Sequence, residues 1–239
     1  MRRSRQSKGF FKDFPPNSQV FSRYYTIVRF TKLKKYDKIC KVCFWTWGGT
    51  MRVITGSARG CRLKTPKGQA TRPTADRIKE SLFNILGRRP LGAQVLDLFA
   101  GTGALGLEAL SRGAAAAVFV DHVTAPLLRE NAERTHLSER AEILRGDALR
   151  ALGRLGEQGR SFDLIFCDPP YRLGLWEKAL VSVDRAGLLA PAGLMVVEHG
   201  ADEDVLPLLS ALQRVRSERY GKTTQLSFFE RLRLQGGEA

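Results

Sequence analysis

Short apolar runs alternate with amphipathic segments along most of the chain after residue 90. Five runs have the composition of buried strands, and each is followed by a segment with the 3.6-residue spacing of a helix. The strand runs are QVLDLF (94–99), AAVFVD (116–121), AEILRGD (141–147), FDLIFCD (162–168) and GLMVVEHG (193–200), and the last helix is predicted in DVLPLLSALQ (204–213). This alternation indicates an α/β fold, a mostly parallel sheet with helices on both faces.

The two ends of this region add further elements. RVRSERYG (214–221) and TTQLSFFERL (223–232) predict two strands around a turn that contains glycine, so the sheet closes with an antiparallel hairpin and has seven strands. MRVITG and CRLKTP are strand-like pieces that flank a turn at 57–60. The segment TADRIKESLFNILG predicts a helix with Thr74 as N-cap, Gly87 as its stop, and Ile78, Leu82, Ile85 and Leu86 on one face.

Positive charge is concentrated at the start of the chain. Residues 1–50 hold 12 Lys or Arg against 2 Asp or Glu, whereas residues 51–239 hold 27 against 22, within a total net charge of +15. Three interpretations of residues 1–50 compete: a disordered basic arm that contacts nucleic acid, an organellar leader, or upstream codons misread as protein. We therefore divide the chain into a basic, aromatic-rich extension (1–50), a strand and helix extension (51–90) and an α/β domain (91–239).

Several classes of protein are excluded by composition. No apolar run reaches the roughly 18–20 residues that a membrane span needs, so no membrane partner is expected. The four cysteines are scattered, which favours a reducing, cytoplasmic compartment over a disulfide framework. Cys40 and Cys43 have the spacing of half a zinc site, but no second pair of ligands follows, and no metal is expected. We expect a monomer.

A glycine-rich loop joins the first predicted strand of the α/β domain to its helix. Gly101, Gly103 and Gly106 satisfy the pattern GxGxxG, and Asp121 ends the next strand. Taken alone, this pattern fits a dinucleotide-binding dehydrogenase. That class of enzyme also needs an acid or base for hydride transfer in the second half of the chain, and none is recognisable.

Acidic residues recur at the ends of successive predicted strands. Asp97 lies inside the first strand, where a carboxylate suits a cationic group, such as the ammonium of an amino-acid-like cofactor, and is a poor neighbour for a pyrophosphate. The alternative is a solvated acid at a strand end. Ligands of this fold class bind outside the carboxyl ends of the strands. The acids Asp97, Asp121, Asp147 and Asp168 therefore suggest a ligand rich in hydroxyls and amines.

Four motifs in sequence order resemble those of Rossmann-like, S-adenosylmethionine-dependent methyltransferases: VLDLFAGTGALGLEAL, VFVD, GDA and DPPY. More narrowly, MRVITGSARGCRLKTPKG followed by TRPTADRIKESLFNIL is similar to the bacterial enzymes that methylate guanine N2 in 16S ribosomal RNA (the RsmD type). The resemblance covers about residues 51–235. It implies a Rossmann-like methyltransferase fold, S-adenosylmethionine as cofactor, the small ribosomal subunit as partner, and residues 91–239 as the catalytic domain.

The resemblance also implies roles for individual residues. Asp121 would bind the ribose hydroxyls and Asp147 the adenine amino group, although relatives often have glutamate where Asp121 stands. The residues around the methionine part of the cofactor and the methyl group would be Asp97, Phe99, Gly101, Gly103 and Asp168.

The motif DPPY suits an exocyclic amine, whose lone pair is delocalised into the ring of guanine or adenine. Asp168, when ionised, and the Pro169 carbonyl can only accept hydrogen bonds from that amine, and neither Pro169 nor Pro170 has an N–H group to compete. Tyr171 can stack on a base turned out of its helix. The alternative is a rigid turn after a buried strand, which explains the prolines but neither Asp168 nor Tyr171.

Basic residues before the glycine loop are the candidate RNA contacts: Arg59, Arg62, Lys64, Lys67, Arg72 and Arg77. Arg77 has an alternative partner in Glu80, one helical turn away. Two other functions remain open. One is a DNA adenine-N6 methyltransferase, because DPPY also suits that amine, and the other is an RNA-binding module that has lost cofactor binding.

Overall fold

The computed structural model of the protein describes residues 51–66 and 73–232, without the side chains of residues 73–75. The predictions for the 1–50 extension, for Cys40 and Cys43, and for Lys67 and Arg72 therefore lie outside the described residues. The helices are α1 (Pro73–Leu86), α2 (Ala104–Ser111), α3 (Ala125–Arg134), α4 (Ala148–Glu157) and α5 (Leu175–Ala186), with a 3₁₀ turn at Ser138–Arg140. The strands are β1 (Gln94–Leu98), β2 (Ala116–Asp121), β3 (Ala141–Arg145), β4 (Phe162–Cys167), β5 (Leu189–Gly200), β6 (Leu212–Tyr220) and β7 (Thr224–Arg231).

The seven strands form one mixed sheet in the order β3-β2-β1-β4-β5-β7-β6. Strands β1 to β5 are parallel, and β7 lies antiparallel between β5 and β6. The predicted α/β class, the mostly parallel sheet and the closing antiparallel hairpin are all confirmed. Because β1 lies between β2 and β4, the chain changes direction across the sheet there, and a crevice opens at the carboxyl ends of β1 and β4.

Two hydrophobic layers cover the sheet. One face packs against α1, α2, α3 and the segment 51–66, and its core includes Val53, Leu82, Phe83, Leu107 and Phe119. The other face packs against α4 and α5, with Leu152, Trp176 and Leu180 in its core. The segment 51–66 and α1 thus share a core with the sheet, and the described residues belong to one compact unit.

Helix α1 follows the predicted periodicity, although Ile85 of the predicted apolar face is only partly buried. Ile78, Leu82 and Leu86 are buried, as is Phe83 between them. The helix begins at Pro73, one residue before the predicted N-cap Thr74, and ends before Gly87, whose φ of +55° stops it in the left-handed region.

The segment 51–66 folds as a tight hairpin with a single β-bridge between Arg52 and Arg62 in place of two full strands. Its turn is attached to α2 by two buried side chains. Ser111 Oγ accepts from Ala58 N (2.9 Å) and donates to Thr55 O (2.6 Å). Glu108, fully buried, accepts from the backbone N–H groups of residues 54 and 55 at 2.7 and 3.0 Å.

The prediction of a helix in DVLPLLSALQ is wrong. Residues 203–209 have no regular structure, and Leu212 already belongs to β6. Pro207 lacks the N–H that a helix interior needs. Asp184 of α5 accepts from Ser210 N at 2.6 Å and from Ala211 N at 2.8 Å, so these two backbone donors are occupied by a distant side chain.

None of the helices in the described ranges has the length and apolar character needed to cross a membrane. Within residues 51–66 and 73–232, no cluster of three or more His, Cys, Asp or Glu side chains is arranged to hold a metal ion. Cys61 and Cys167 are free thiols.

Candidate active site

The carboxyl ends of β1 to β4 bring the four predicted acids to one edge of the sheet. Asp97 lies within β1 and Asp121 ends β2, while Asp147 stands two residues after β3 and Asp168 directly follows β4. Strand pairing aligns Leu98 with Val120 on one side and with Cys167 on the other. The arrangement expected from the sequence is therefore present at the crevice.

The glycine loop between β1 and α2 has the backbone conformation that its glycines predict. Gly101 and Gly103 have φ of +56° and +79°, and Phe99 adopts a φ of +58°, which is unusual for a residue with a side chain. Gly103 N donates to Ala100 O at 2.7 Å and closes the turn. Because Gly103, the N-cap of α2, has no side chain to cap it, the N–H groups of Ala104 and Leu105 have no side-chain acceptor among the described residues.

Gly106 allows α2 to lie directly on the sheet. A Cβ atom at this position would stand 2.3 Å from the Phe119 ring and 3.0 Å from Asp97 Oδ2. Gly106 N donates to that same Asp97 oxygen at 2.8 Å. The third glycine of the motif therefore serves helix packing and the orientation of Asp97.

Asp97 is almost completely buried. Burial raises its pKa to about 7, the hydrogen bond from Gly106 N lowers it in part, and the nearby charge of Asp121 raises it again. The carboxylate is ionised most easily when a cation lies beside it. This environment fits the predicted ammonium partner better than it fits a solvated acid.

Asp121 connects the glycine loop to the start of α3. Its Oδ1 accepts from Val123 N (2.8 Å) and Thr124 N (2.6 Å), and its Oδ2 accepts from Gly101 N (3.0 Å). Partial burial alone would raise the pKa of Asp121, but these hydrogen bonds together lower it. The carboxylate is thus held ionised and fixed in place, and a second lone pair on Oδ2 remains for a ligand hydroxyl.

Asp147 is exposed and forms the N-cap of α4, where its Oδ1 accepts from Arg150 N at 2.9 Å. Its other carboxylate oxygen faces no protein donor among the described hydrogen bonds. It can therefore accept from an amino group.

The DPPY segment leaves β4 with its second proline exposed and its first buried. Solvent reaches Asp168 through the crevice, yet the pKa of its carboxyl is raised well above the ordinary value. The first cause is desolvation by the protein packed around it, and the negative charges of Glu198 and Asp97 add to this effect.

Tyr171 is held by two partners on neighbouring strands. Its hydroxyl donates to Glu198 Oε1 at 2.5 Å and lies 3.2 Å from Thr224 Oγ1. Burial and the charge of Glu198 raise the pKa of Tyr171, so the phenol stays protonated. Burial also raises the pKa of Glu198, and the hydrogen bond from Tyr171 partly opposes this. Sequence reasoning missed Glu198, whose one signal is a single acid near the end of the apolar run GLMVVEHG.

A cavity of about 110 Å³ lies beside Asp168, between α1, the start of α2 and the end of β5. Its polar lining consists of Asp76, Lys79, Asp168 and Glu198, and its apolar lining of Met51, Ile78, Leu82, Ala104 and Leu105. Lys79 is nearly buried, and desolvation lowers its pKa although Glu108 opposes this. Lys79 was also missed, because it stands on the apolar face of a predicted helix.

The described RNA candidates Arg59, Arg62, Lys64 and Arg77 are all exposed. Lys64 forms an ion pair with Glu130 of α3. Arg77 and Glu80 form no ion pair within the described part of the chain, so the alternative role for Arg77 is not realised there. A second cavity of about 330 Å³ brings Arg59 and Arg77 together with Arg52, which was not among the predicted RNA contacts.

Known proteins match this architecture and sequence. The family model "Conserved hypothetical protein 95" matches residues 51–230. The chain is 39% identical to "Putative rRNA methyltransferase YlbH" of Bacillus subtilis (strain 168) over 72% of this chain and 95% of that protein. It is 36% identical to "Ribosomal RNA small subunit methyltransferase D" of Escherichia coli (strain K12) over 77% of this chain and 91% of that protein.

Solved structures agree with this assignment. "Putative methyltransferase yhhF from Escherichia coli" superposes with a TM-score of 0.66 at 34% identity, over 77% of this chain and 98% of that one. A structure of "SMU.776, a putative methyltransferase complexed with SAH" has a TM-score of 0.56 at 16% identity, over 72% of this chain and 53% of that one, and shows that the fold is shared with methyltransferases. The chain therefore belongs to the family described as conserved hypothetical protein 95, together with ribosomal RNA small subunit methyltransferase D.

Proposed function

We propose that the protein is an S-adenosylmethionine-dependent methyltransferase that methylates the N2 amine of a guanosine in 16S ribosomal RNA, on small-subunit particles. The observation that supports this most directly is the position of Asp168, an acceptor at the switch point of the sheet, beside the glycine loop and beside a cavity. The names of relatives that are 36–39% identical support ribosomal RNA as the substrate.

The residues of the crevice fit the chemistry of the cofactor. Asp97 offers a buried carboxylate to the ammonium, and the uncapped N-terminus of α2 offers N–H groups to the carboxylate of the methionine part. Asp121 and Asp147 each keep an acceptor for the ribose and the adenine. Bound S-adenosylmethionine supplies an electrophilic methyl group on a sulfonium.

The protein's own contribution to the reaction is to hold the target amine. Asp168 and the Pro169 carbonyl accept its two hydrogens, which favours the pyramidal geometry and the positive charge that develop as nitrogen attacks carbon. The amine becomes far more acidic once it carries the methyl group, so its proton can then leave to Asp168 or to water. Tyr171, fixed by Glu198 and Thr224, can support the base beside it.

Basic residues on the hairpin 51–66 and on α1 would contact the RNA backbone. Arg52, Arg59 and Arg77 line one surface cavity close to that of the active site, since Asp76 lines both. Exposed arginines grouped in this way favour phosphate binding. Lys64, already paired with Glu130, would contribute less.

The proposal is tested by incubating the protein with labelled S-adenosylmethionine and small subunits from cells that lack it. We expect one methyl group per particle, found as N2-methylguanosine when the 16S RNA is digested and analysed by mass spectrometry. Methylation of duplex DNA on adenine N6 in place of ribosomal RNA would favour the alternative enzyme. Failure to bind the cofactor in calorimetry would favour a binding module.

A further inference from the structure

Glu198 stands beside Asp168 at the ends of two adjacent parallel strands. Cys167, the last residue of β4, pairs with Val197 of β5, so Asp168 and Glu198, which follow them, lie side by side. Both carboxylates line the same cavity of about 110 Å³. In the proposed methyl transfer, Asp168 holds the target amine and Glu198 only supports Tyr171.

The hydrogen bond from Tyr171 occupies only one oxygen of Glu198. The hydroxyl donates to Oε1 at 2.5 Å. Since a carboxylate has two oxygens and about four lone pairs, Oε2 remains free to accept a hydrogen bond. The pKa of both carboxyl groups is raised, but a carboxyl group that keeps its proton still has an oxygen that accepts, so the cavity offers two neighbouring acceptors, one from Asp168 and one from Glu198.

Lys79 adds a donor to the same cavity. Its Nζ donates to Arg52 O at 2.5 Å and lies 3.7 Å from Glu108 Oε2. An ammonium has three hydrogens, so at least one is left for a ligand. The remaining walls are apolar apart from Asp76, in the first turn of α1.

Two adjacent acceptors distinguish the bases that carry an exocyclic amine. In guanine the N2 amine is next to N1–H, so two donors are adjacent, and O6 follows as an acceptor. In adenine and cytosine the amine is next to a ring nitrogen that accepts hydrogen bonds. This nitrogen would face a carboxylate, which also accepts, so no hydrogen bond could form between them. Guanine alone matches acceptor, acceptor and donor in this order.

We propose that Glu198 accepts the hydrogen bond of guanine N1–H while Asp168 holds the N2 amine, and that Glu198 thereby selects guanine over adenine. Lys79 is the matching donor for O6. This inference rests on the proposed function, because it requires a guanosine in the cavity. It makes Glu198 a specificity-determining residue that contacts the base, and it gives Tyr171 the further task of orienting Glu198.

The test compares guanosine with 2-aminopurine riboside at the methylated position of reconstituted small subunits, after that position has been mapped. 2-Aminopurine keeps the N2 amine, but its N1 accepts instead of donating, and it has no O6 for Lys79, so the wild-type ratio reports both contacts and the variant below isolates the contact with N1. The wild-type protein should methylate guanosine with a kcat/KM about tenfold or more above that for 2-aminopurine, because N1 of 2-aminopurine accepts hydrogen bonds and would face the carboxylate of Glu198.

The variant Glu198→Gln isolates the contact with N1. Tyr171 continues to donate to the amide oxygen, which turns the amide NH₂ toward the cavity, where it suits the N1 of 2-aminopurine. The rate with guanosine should fall, and the ratio of the two kcat/KM values should fall by about tenfold, as in a double-mutant cycle. Glu230→Gln is the matched control: it removes a carboxylate from the adjacent strand β7, where Glu230 pairs with Arg89 away from the cavity, and should leave the ratio unchanged.

If the ratio of kcat/KM for guanosine to kcat/KM for 2-aminopurine is unchanged in Glu198→Gln, the inference is overturned. This includes the case in which the affinity for S-adenosylmethionine falls together with the rate, because Glu198 would then serve the cofactor. A ratio near one in the wild-type protein also overturns the inference. This result needs no variant, so the test stands even if Glu198→Gln fails to fold. Methylation of an atom other than guanine N2 by the wild-type protein would instead refute the proposed function.

Discussion

The carboxyl of Asp97 is buried and has a raised pKa, so the affinity for a cofactor whose ammonium lies beside it should depend on pH. Its pKa is about 7 in the free protein, so the carboxyl is largely protonated at pH 6. A bound ammonium requires the ionised form, and binding below pH 7 must release a proton. The affinity for S-adenosylmethionine should therefore rise about fivefold from pH 6 to pH 7 and at most about twofold beyond pH 7.

Calorimetry across this range measures the effect, and buffers of different ionisation enthalpy count the protons released. In Asp97→Asn the affinity should be lower at every pH and most of the rise between pH 6 and pH 7 should disappear. An equally steep rise in that variant would show that another group titrates.

Substitution of Asp168 should lower turnover without a comparable loss of cofactor affinity. Asp168→Ala removes the acceptor that orients the target amine, and we expect kcat to fall by about 100-fold or more, while the affinity for S-adenosylmethionine stays within a few fold. Asp163→Ala is a matched control on the other end of β4, where Asp163 accepts from Gln94 N at 2.8 Å. It should retain turnover. An equal loss of affinity and turnover in Asp168→Ala would mean that Asp168 serves the fold.

The predicted site residues differ in how well the sequence could reveal their surroundings. The glycine loop and the acids follow from spacing along the chain, because strand ends meet at one edge of a parallel sheet. Glu198 and Lys79 could not be selected, since each stands in an apolar pattern typical of core. Their access to the cavity depends on how β5 lies beside β4 and how α1 lies over α2.

At the scale of whole elements, alternation predicted β1 to β5 and the helices between them, because each element buries a periodic apolar face. The one helix that was wrongly predicted, 204–213, has suitable spacing but contains Pro207. The conformation of this segment also depends on Asp184, which is distant in sequence and accepts hydrogen bonds from Ser210 N and Ala211 N. A contact of this kind cannot be read from local periodicity.

The contact between α2 and the sheet gives a prediction about stability. In Gly106→Ala the new methyl group would stand 2.3 Å from the Phe119 ring, and overpacking should lower the free energy of unfolding by about 1–3 kcal/mol. Gly153→Ala is the matched control in α4, where a Cβ meets nothing within 4 Å, and it should raise the free energy of unfolding by about 0.5–1 kcal/mol. Urea denaturation measures both. A stabilising Gly106→Ala would contradict the close packing of α2.

At the scale of the whole molecule, the excess of positive charge is greatest in residues 1–50, whereas the residues of the candidate site lie in 51–239. All the described residues to which we assign cofactor or base contacts lie between Lys79 and Glu198. The family model likewise matches residues 51–230. Residues 1–50, in contrast, carry 12 of the 39 Lys and Arg and a net charge of +10.

Removal of residues 1–50 should therefore leave kcat on small subunits unchanged and weaken RNA affinity mainly at low salt. Binding to RNA releases counterions in proportion to the phosphates neutralised, so the slope of log Kd against log salt should become shallower by roughly 0.7–0.9 for each phosphate contact that is lost. A full-length variant with the 12 Lys and Arg of residues 1–50 replaced by Gln should behave like the truncated protein, because the effect depends on charge. A fall in kcat on truncation would contradict this separation and would place part of the catalytic machinery in residues 1–50.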